Sequence, residues 1–497
     1  MIFRAGLLLV AMAFVALGAG PLLWTYGSAL SERSAELGAL AVSKSTWAAL
    51  GRSLALGILS ALGASVLGAS LAFFTGKTRT PERNLLSAIA LVPLALPPYN
   101  MALAFRPWLP QEPLLASTLV LSLALYPIPF VFLRAGLASI DPALEEAGLL
   151  ARGTLATVRQ ITWPLVRPWA FAAAGIVFLL GLSELGAPAF LGLTVYSGQI
   201  ALRYAATYDA AGAALAAIPL IGVVLVLLVV ESTALRRVDV FATRLRPARI
   251  FELERWTLSA RALCLAIVVA SPGLPLLLTL LEIDAPGLLR AIPMAIPPAL
   301  NSLLVAGIGC LAAVLIGSAL ALLARRGARW VRWASLTFFV LPGAVLGIGL
   351  IGFWNLPNRP PLYGTIGLLV VAVGLRYTLL TERTIDAGLA NVPVAQEQVA
   401  RLAGRGEASI AYRVLFPQIV PALVAGSSAF LLFAIRDLDT VVTIYPPGGE
   451  TLAVRLYTVM ANSPRGLQAS LSLAQMALTL PVVLWLIVTL RKSRWLF

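Results

Sequence analysis

Apolar residues in this chain form long runs that are separated by short polar segments. A helix that crosses the hydrocarbon core of a bilayer needs about 20 mostly apolar residues. Twelve runs approach that length, near residues 5–26, 47–74, 85–105, 114–134, 169–188, 211–231, 262–281, 299–323, 333–353, 362–380, 418–435 and 469–490. We therefore predict an all-α polytopic membrane protein with about twelve transmembrane helices.

The amino-acid composition excludes several classes of protein. Of the 497 residues, 60% are hydrophobic and only 12% are charged, whereas a soluble domain carries about 25% charged residues. This excludes a single soluble enzyme and a disordered chain. Histidine is absent and both cysteines lie in apolar runs, which excludes histidine-based catalytic triads and zinc sites. We expect no cofactor and no metal site.

The net charge of +15 is explained by the membrane. Most Lys and Arg residues fall in the segments that share a side with the N-terminus, and basic loops stay in the cytoplasm. We predict cytoplasmic N- and C-termini in a cell (inner) membrane, with lipid and not nucleic acid as the partner. Residues 1–20 have a thin basic start, so we expect them to be retained as the first helix rather than cleaved as a signal peptide.

A repeat of about 250 residues divides the chain. At a constant offset of 253, the shared positions are Ala147 and Ala400, Leu149 and Leu402, Arg152 and Arg405, Gly153 and Gly406, and Pro164 and Pro417. We predict two six-helix halves, 1–232 and 262–497, that are joined by a cytoplasmic linker, 233–261. An even number of spans makes the repeats parallel. Two such halves form the layout of a transporter; duplication for stability alone is the alternative.

The matches concentrate in two loops, 141–164 and 391–417. In the first, Asp141 before Pro142 predicts a helix start, and in the second Asn391 precedes Pro393 in a similar way. Arg-Gly then ends each helix, at Gly153 and Gly406, because glycine permits a positive φ. A rigid helical loop that is present twice suits docking onto a partner with two-fold symmetry.

The loop pattern Glu-Ala-Ala…Gly…Leu-Pro resembles the coupling loop of permease subunits in binding-protein-dependent ABC importers. The segments LALPPYNMALAF and RDLDTVVTIYPPGGETLAVRLY extend the resemblance, which is greatest to fused iron(III)/thiamine-type permeases of MetI-like fold. The residues at the positions of the coupling motif are Glu145, Glu146, Ala147, Ala151, Arg152, Gly153 and Pro164 in the first loop, and Gln398, Ala400, Gly404, Arg405, Gly406 and Pro417 in the second. Three of them depart from the family pattern: Glu146 stands where the first alanine is expected, Ala151 replaces the glycine, and Gln398 replaces the acidic residue. An ion pair of that acidic residue is therefore expected in the first loop alone.

The resemblance implies the partners. Two ATP-binding cassette subunits would dock on the cytoplasmic face, and an extracytoplasmic binding protein would deliver the substrate. Iron(III) is the first choice of substrate, with thiamine, a phosphonate, a polyamine or an oxyanion as alternatives. The chain itself lacks a phosphate-binding loop, because Leu71 stands where the motif before Gly76-Lys77-Thr78 needs glycine. We interpret that segment as a basic cytoplasmic turn. The resemblance therefore implies a transport subunit rather than an enzyme, with ATP hydrolysis in a separate partner subunit.

Ionisable residues inside apolar runs indicate a pathway. Glu184 and its repeat partner Asp437, beside Arg436, are candidates to line it and to favour a cation; local pairing of Arg436 with Asp437 or Asp439 is the alternative. Pro97 and Pro342 are expected to break their spans and are candidates to expose backbone groups to the pathway; packing kinks are the alternative. Arg203 and Arg455 are candidates to dock the binding protein, or else are interfacial anchors. An ion-gradient-driven secondary transporter is the alternative of another class.

Overall fold

A computed structural model describes residues 2–234, 251–252, 256–328, 330–460 and 462–492. Regular structure in these ranges is helical, apart from an isolated bridge between Thr78 and Phe251. The helices of the N-terminal part are α1 Ile2–Val42, α2 Lys44–Lys77, α3 Arg83–Ile89, α4 Pro98–Phe105, α5 Pro113–Leu125, α6 Pro127–Ser139, α7 Pro142–Thr157, α8 Trp163–Ser183, α9 Gly186–Phe190, α10 Tyr196–Thr207 and α11 Ala210–Ala234. Those that follow are α12 Thr257–Val268, α13 Leu274–Leu281, α14 Ala285–Arg325, α15 Trp330–Val340, α16 Gly343–Trp354, α17 Ile366–Ala390, α18 Val394–Leu402, α19 Glu407–Ile410, α20 Phe416–Ile435, α21 Val441–Ile444, α22 Leu452–Val459 and α23 Arg465–Lys492. Most of the predicted linker, at 235–250 and 253–255, lies outside the described residues.

The chain is an all-α, multi-pass membrane protein, as the apolar runs predict. In the described ranges, 8 helices are long and apolar enough to cross a membrane, or up to 11 when each of three bent pairs counts as one span. The predicted number of twelve is therefore not reached by length and composition. The predicted span at 362–380 overlaps the 25-residue helix α17. This helix is not among the counted spans, because it carries four charged residues, Arg376, Glu382, Arg383 and Asp386.

Two of the bent pairs confirm the predicted breaks. The helical segments before and after Pro97 meet at 93°, and those before and after Pro342 meet at 100°. The two prolines have the same backbone conformation, with φ and ψ of −56° and 145° at Pro97 and −54° and 141° at Pro342. Proline cannot donate a helical hydrogen bond, and its ring disfavours the helical conformation of the residue before it. Each break therefore follows directly from the sequence.

The helices form two compact units. Unit 1 contains residues 1–43, 200–221 and 296–455, and unit 2 contains 44–199, 222–295 and 456–497. Each unit thus draws segments from both predicted halves, 1–232 and 262–497, whose status as functional halves stays a prediction.

Within unit 1, the first helix is fixed by side-chain hydrogen bonds. The Thr25 hydroxyl donates to the carbonyl of Gly349 at 2.8 Å, and the Tyr26 hydroxyl donates to that of Val345 at 2.9 Å. Both acceptors lie on α16. Helix α1 therefore packs against a helix that is more than 300 positions away in the sequence.

A serine makes the same contact in both units. In unit 2, the Ser53 hydroxyl accepts the backbone N–H of Tyr196, at the start of α10, at 2.8 Å. In unit 1, the Ser302 hydroxyl accepts the backbone N–H of Leu452, at the start of α22, at 2.9 Å. The first N–H groups of a helix have no partner within the helix, so each serine satisfies one of them. Ser53-Leu54 and Ser302-Leu303 also match in sequence, 249 positions apart, so the repeat is visible in packing as well as in sequence.

Candidate functional site: the two repeated loops

The first loop has the helix start and the break that its sequence predicts. The Asp141 carboxylate accepts the N–H of Ala143 at 3.1 Å, and Pro142 occupies the first turn of α7. Gly153 has φ +75° and interrupts the helix. A π-helical turn, Val158–Thr162, then leads into α8, where Pro164 is the second residue.

The second loop ends its helix at a different glycine. Gly404, and not Gly406, has the positive φ, at +73°; Gly406 is extended and precedes α19. The prediction of a break at Gly406 is therefore wrong. The cause is a tight turn in which the N–H groups of Ala403 and Arg405 donate to the carbonyls of Val399 and Ala400, a hydrogen-bonded helix end that places a left-handed residue between them.

The start of the second loop also differs from the prediction. Asn391 does not cap α18, which begins after Pro393 with no side-chain cap. Asn391 instead ends α17, where its side-chain amide donates to the carbonyl of Ala387 at 3.0 Å. Farther along, the π-helical turn Ala411–Leu415 leads into α20, with Pro417 in its first turn. This turn stands 253 positions after the one in the first loop, as the repeat predicts.

A buried ion pair anchors the first loop. The Glu145 carboxylate lies 2.6 Å from the Lys77 ammonium at the end of α2 and also accepts the Thr162 hydroxyl at 2.9 Å. Both charged side chains are fully buried. The prediction of a basic turn is therefore wrong for Lys77, which ends helix α2 and whose ammonium points into the protein and fixes α7. The available signal was a lysine at the very end of an apolar run.

A residue of the predicted linker covers this anchor. The Phe251 N–H donates to the carbonyl of Lys77 at 2.6 Å, and its ring stacks on Phe73 with 6.1 Å between centroids. The ring is buried. Next to it, Glu252 lies 3.6 Å from Arg79 in an exposed ion pair. The linker thus contacts the end of α2, to which Glu145 anchors the first loop.

The second loop has its own acidic anchor, contrary to the expectation for Gln398. Glu397 pairs with Arg325 at 2.6 Å, and Arg325 also donates to the carbonyl of Val392 at 3.0 Å. Gln398 is exposed. Helix α18 is displaced by one residue from the constant offset, so Glu397 corresponds to Glu145 in position and role.

Exposed apolar side chains cover both loops. Leu150 is 91% exposed and Leu402 is 88% exposed, with Leu155 and Val399 also exposed. In the second loop a groove of about 590 Å³ runs between α18 and the π-helical turn, and Val399, Ala403, Arg405 and Arg413 are among its lining residues. An apolar surface with a basic rim is suited to a protein partner.

The remaining predicted coupling residues lie on the same surfaces. Glu146, Ala147, Ala151, Arg152 and Pro164 in the first loop are exposed, as are Gly404, Arg405, Gly406 and Pro417 in the second, while Ala400 is half-buried.

The two predicted pathway acids share a local geometry. Each follows the end of a long helix and caps the next turn: Glu184 accepts the N–H of Ala187 at 3.3 Å, and Asp437 accepts that of Thr440 at 3.1 Å. Their surroundings differ, because Asp437 is buried and Glu184 is half-buried. Glu184 and Asp437, which the repeat pairs, therefore make the same kind of contact with the backbone.

Asp437 has a partner that sequence reasoning missed. Arg376 of α17 lies 3.0 Å from Asp437 and 3.9 Å from Asp439, and it donates to the Thr440 hydroxyl at 2.5 Å. Arg436 lies over the ring of Phe433, 4.6 Å from its centroid. The charge on Asp437 is thus balanced from another helix.

The two predicted docking arginines are engaged in ion pairs. Arg203 lies 3.4 Å from Glu36, and Arg455 pairs with Glu450. Next to Arg203, Arg33 pairs with Asp209 at 2.6 Å. Partial burial raises the pKa of Asp209, but hydrogen bonds from the Gly212 N–H and from Arg33 outweigh it and hold that pKa below its ordinary value.

The chain is similar to known permeases. It is 21% identical over 430 residues to the Fe(3+)-transport system permease protein FbpB 2 of Haemophilus influenzae, covering 82% of this chain and 83% of that protein. It is 26% identical over 353 residues to the ferric transport system permease protein FbpB of Actinobacillus pleuropneumoniae, covering 65% and 50%. A Salmonella paratyphi A protein named as a 2-aminoethylphosphonate transport system permease, PhnV, is 27% identical over 186 residues, covering 36% and 69%. No protein-family model matches the chain.

Proposed function

We propose that this chain is the transmembrane permease of an ATP-driven importer and that it passes iron(III) delivered by an extracytoplasmic binding protein. The observation that carries the proposal is the similarity to a ferric permease along most of both chains. The paired loops support it independently, since two equivalent surfaces are what two identical or related subunits require. The protein would lie in the inner membrane with both termini in the cytoplasm.

The two loops are the proposed docking sites for two separate ATPase subunits. Their exposed apolar residues, Leu150 and Leu402 foremost, would contact the partners, as would the exposed motif residues around them. The buried pair of Lys77 and Glu145 fixes α7 to α2, so a displacement of the loop would move a long apolar helix with it. Such an arrangement converts a partner's closure into a change in the membrane domain.

The proposed pathway contains Glu184, Asp437 and Arg436, together with the breaks at Pro97 and Pro342. Hard cations such as iron(III) prefer oxygen ligands; the Glu184 carboxylate would offer one in unit 2, whereas the Asp437 carboxylate of unit 1 is already paired with Arg376. In the ranges that the structure describes, no group of three or more His, Cys, Asp or Glu side chains is placed to hold a metal ion. Weak contacts between these residues and the solute would allow the solute to pass, and the binding protein would select it. Arg203 and Arg455 are the proposed docking points for that protein.

A second substrate is favoured by a specific observation. The similarity to PhnV covers more than two thirds of that protein, at an identity of 27%. The alternative function is therefore the same importer mechanism for 2-aminoethylphosphonate, whose ammonium group the Glu184 carboxylate would also attract.

A purification from native membranes tests the proposal. The tagged chain, extracted in mild detergent, should be recovered with two copies of an ATPase and with a binding protein whose bound ligand can be identified. The variant Arg152→Glu places an acid on the exposed face of the first loop and should lose the ATPase while it still inserts in the membrane. Recovery of the chain alone, after mild crosslinking as well, would contradict the proposal.

A further inference from the structure

The last helix has a polar face that the coupling and pathway assignments above do not use. Gln468, Ser472, Gln475 and Thr479 recur at intervals of four, three and four residues, so they lie on one side of α23. All four are buried, and the last three are fully so. The opposite side is exposed, for example at Ala477. Polar residues that turn inward from a membrane helix are costly unless they serve a purpose there.

This polar face packs against the broken helix of the same unit. The Thr479 hydroxyl donates to the carbonyl of Ala95 at 2.6 Å, and the Asn100 amide donates to the carbonyl of Ser472 at 3.5 Å. Ala95 and Asn100 flank the break at Pro97, where the helical direction changes by 93°. Broken helices place backbone and side-chain oxygens at the centre of membrane transport sites.

Two buried polar atoms at this contact have no hydrogen-bond partner. They are the side-chain oxygen of Asn100 and the hydroxyl oxygen of Ser472, in residues that are 1% and 0% exposed. An unsatisfied acceptor in an apolar environment costs free energy. Such atoms are therefore expected to gain a partner in another state of the protein.

We infer that Asn100 and Ser472 contact the transported solute, and that in unit 2 the pathway opens between the broken helix and the polar face of α23. The inference rests on the proposed function and deepens it. Both atoms accept hydrogen bonds and neither carries a charge, so the solute they suit has N–H or O–H donors. Water molecules bound to an iron(III) ion meet this requirement, and so does the ammonium group of an aminophosphonate.

Cysteine labelling tests the inference in the complete transporter. In a background with Cys264→Ala and Cys310→Ala, the variant Ser472→Cys is treated with a membrane-impermeant methanethiosulfonate, at rest and during turnover with ATP, ATPase and binding protein. Labelling should occur during turnover and be slow at rest, because Ser472 is buried unless the pathway opens. The matched control Ala477→Cys, on the exposed side of the same helix, should show no increase on turnover.

A kinetic measurement tests the inference even if Ser472→Cys does not assemble with the ATPase. Asn100→Leu should raise the KM for uptake by roughly tenfold, the effect of about one hydrogen bond, with ATP hydrolysis retained. Ser470→Ala is the control, because the Ser470 hydroxyl donates to Gly466 in its own helix, and its KM should be unchanged. Uptake assays of the wild type with iron(III) and with 2-aminoethylphosphonate show which of the two solutes is transported.

The outcomes separate the two claims. The inference alone is overturned if the wild type transports, Ser472→Cys stays unreactive during turnover and Asn100→Leu keeps the wild-type KM. A wild type that transports neither substrate with ATP overturns the proposed function itself.

Discussion

Lys77 and Glu145 form an ion pair, 2.6 Å between ammonium and carboxylate, in which neither side chain is exposed to solvent. One belongs to the end of an apolar helix and the other to the first repeated loop. Removal of one partner from a buried pair leaves an uncompensated charge, which costs about 3–5 kcal/mol. The pair therefore fixes the loop far more firmly than a surface contact, which is worth about 0–1 kcal/mol.

We expect Lys77→Met to separate ATP hydrolysis from transport. The unpaired Glu145 would turn toward water and release α7 from α2, so a docked ATPase would hydrolyse ATP with little uptake. The measurement is the ratio of solute transported to ATP hydrolysed in proteoliposomes. Lys44→Met, which removes an exposed lysine at the other end of the same helix, is the control. An unchanged ratio in Lys77→Met would show that the pair does not transmit motion.

The double variant Lys77→Met with Glu145→Leu should recover stability. Apolar residues can replace a buried ion pair with little loss, whereas single removal is strongly destabilising. The thermal midpoint in detergent should rank wild type and double variant close together, with both single variants lower. Additive losses in the double variant would indicate that the two residues act independently.

In the second loop, Glu397→Gln should weaken uptake and Gln398→Ala should not. Glu397 pairs with Arg325, and both side chains are mostly buried, while Gln398 is exposed. The defect should be smaller than that of Lys77→Met, because the pair retains some contact with solvent. Uptake rates at matched expression measure both variants. A larger defect in Gln398→Ala would restore the constant offset of 253 as the functional alignment.

Gly404→Ala should destabilise the second loop by about 1 kcal/mol, because alanine is strained at the positive φ of that position. Gly406→Ala should be neutral, since Gly406 is extended. Neither position has an atom within 4 Å of an added Cβ, so the comparison isolates backbone conformation. Limited proteolysis of the loop should be faster in Gly404→Ala alone. Equal protection of both variants would contradict the assigned turn.

Removal of Arg376 should destabilise unit 1 more than removal of Arg436. Arg376→Leu leaves Asp437 buried without its 3.0 Å partner, at a cost of about 3–5 kcal/mol. Arg436→Leu removes a stacking contact with Phe433 but leaves that pair intact. Thermal midpoints in detergent distinguish the two, and an equal loss in both would assign the charge balance of Asp437 to Arg436.

The features that depend on local sequence were predictable. Pro97 and Pro342 break their helices because of proline's own geometry, and Asp141 caps α7 because its side chain reaches a neighbouring N–H. The partners of Glu145 and Asp437, which are Lys77 and Arg376, were not predicted, because they are distant in sequence and meet these acids only through tertiary packing.

The register of the second loop shows the same limit. An offset of 253 aligns the two π-helical turns and their prolines, but α18 has shifted by one residue between them. The offset of 253 aligns Gln398 with Glu145, but the residue that reaches Arg325 is Glu397. Which residue reaches Arg325 depends on the packing of α14 and α17. A comparison of sequence halves contains no information about that packing.

Uptake into proteoliposomes that contain the chain with its co-purified ATPase tests the central claim most directly. With binding protein outside and ATP inside, iron(III) should accumulate only while ATP is hydrolysed, and a protonophore should leave the rate unchanged. Accumulation that continues without ATP and collapses when the ion gradient is dissipated would contradict the account and identify a secondary transporter.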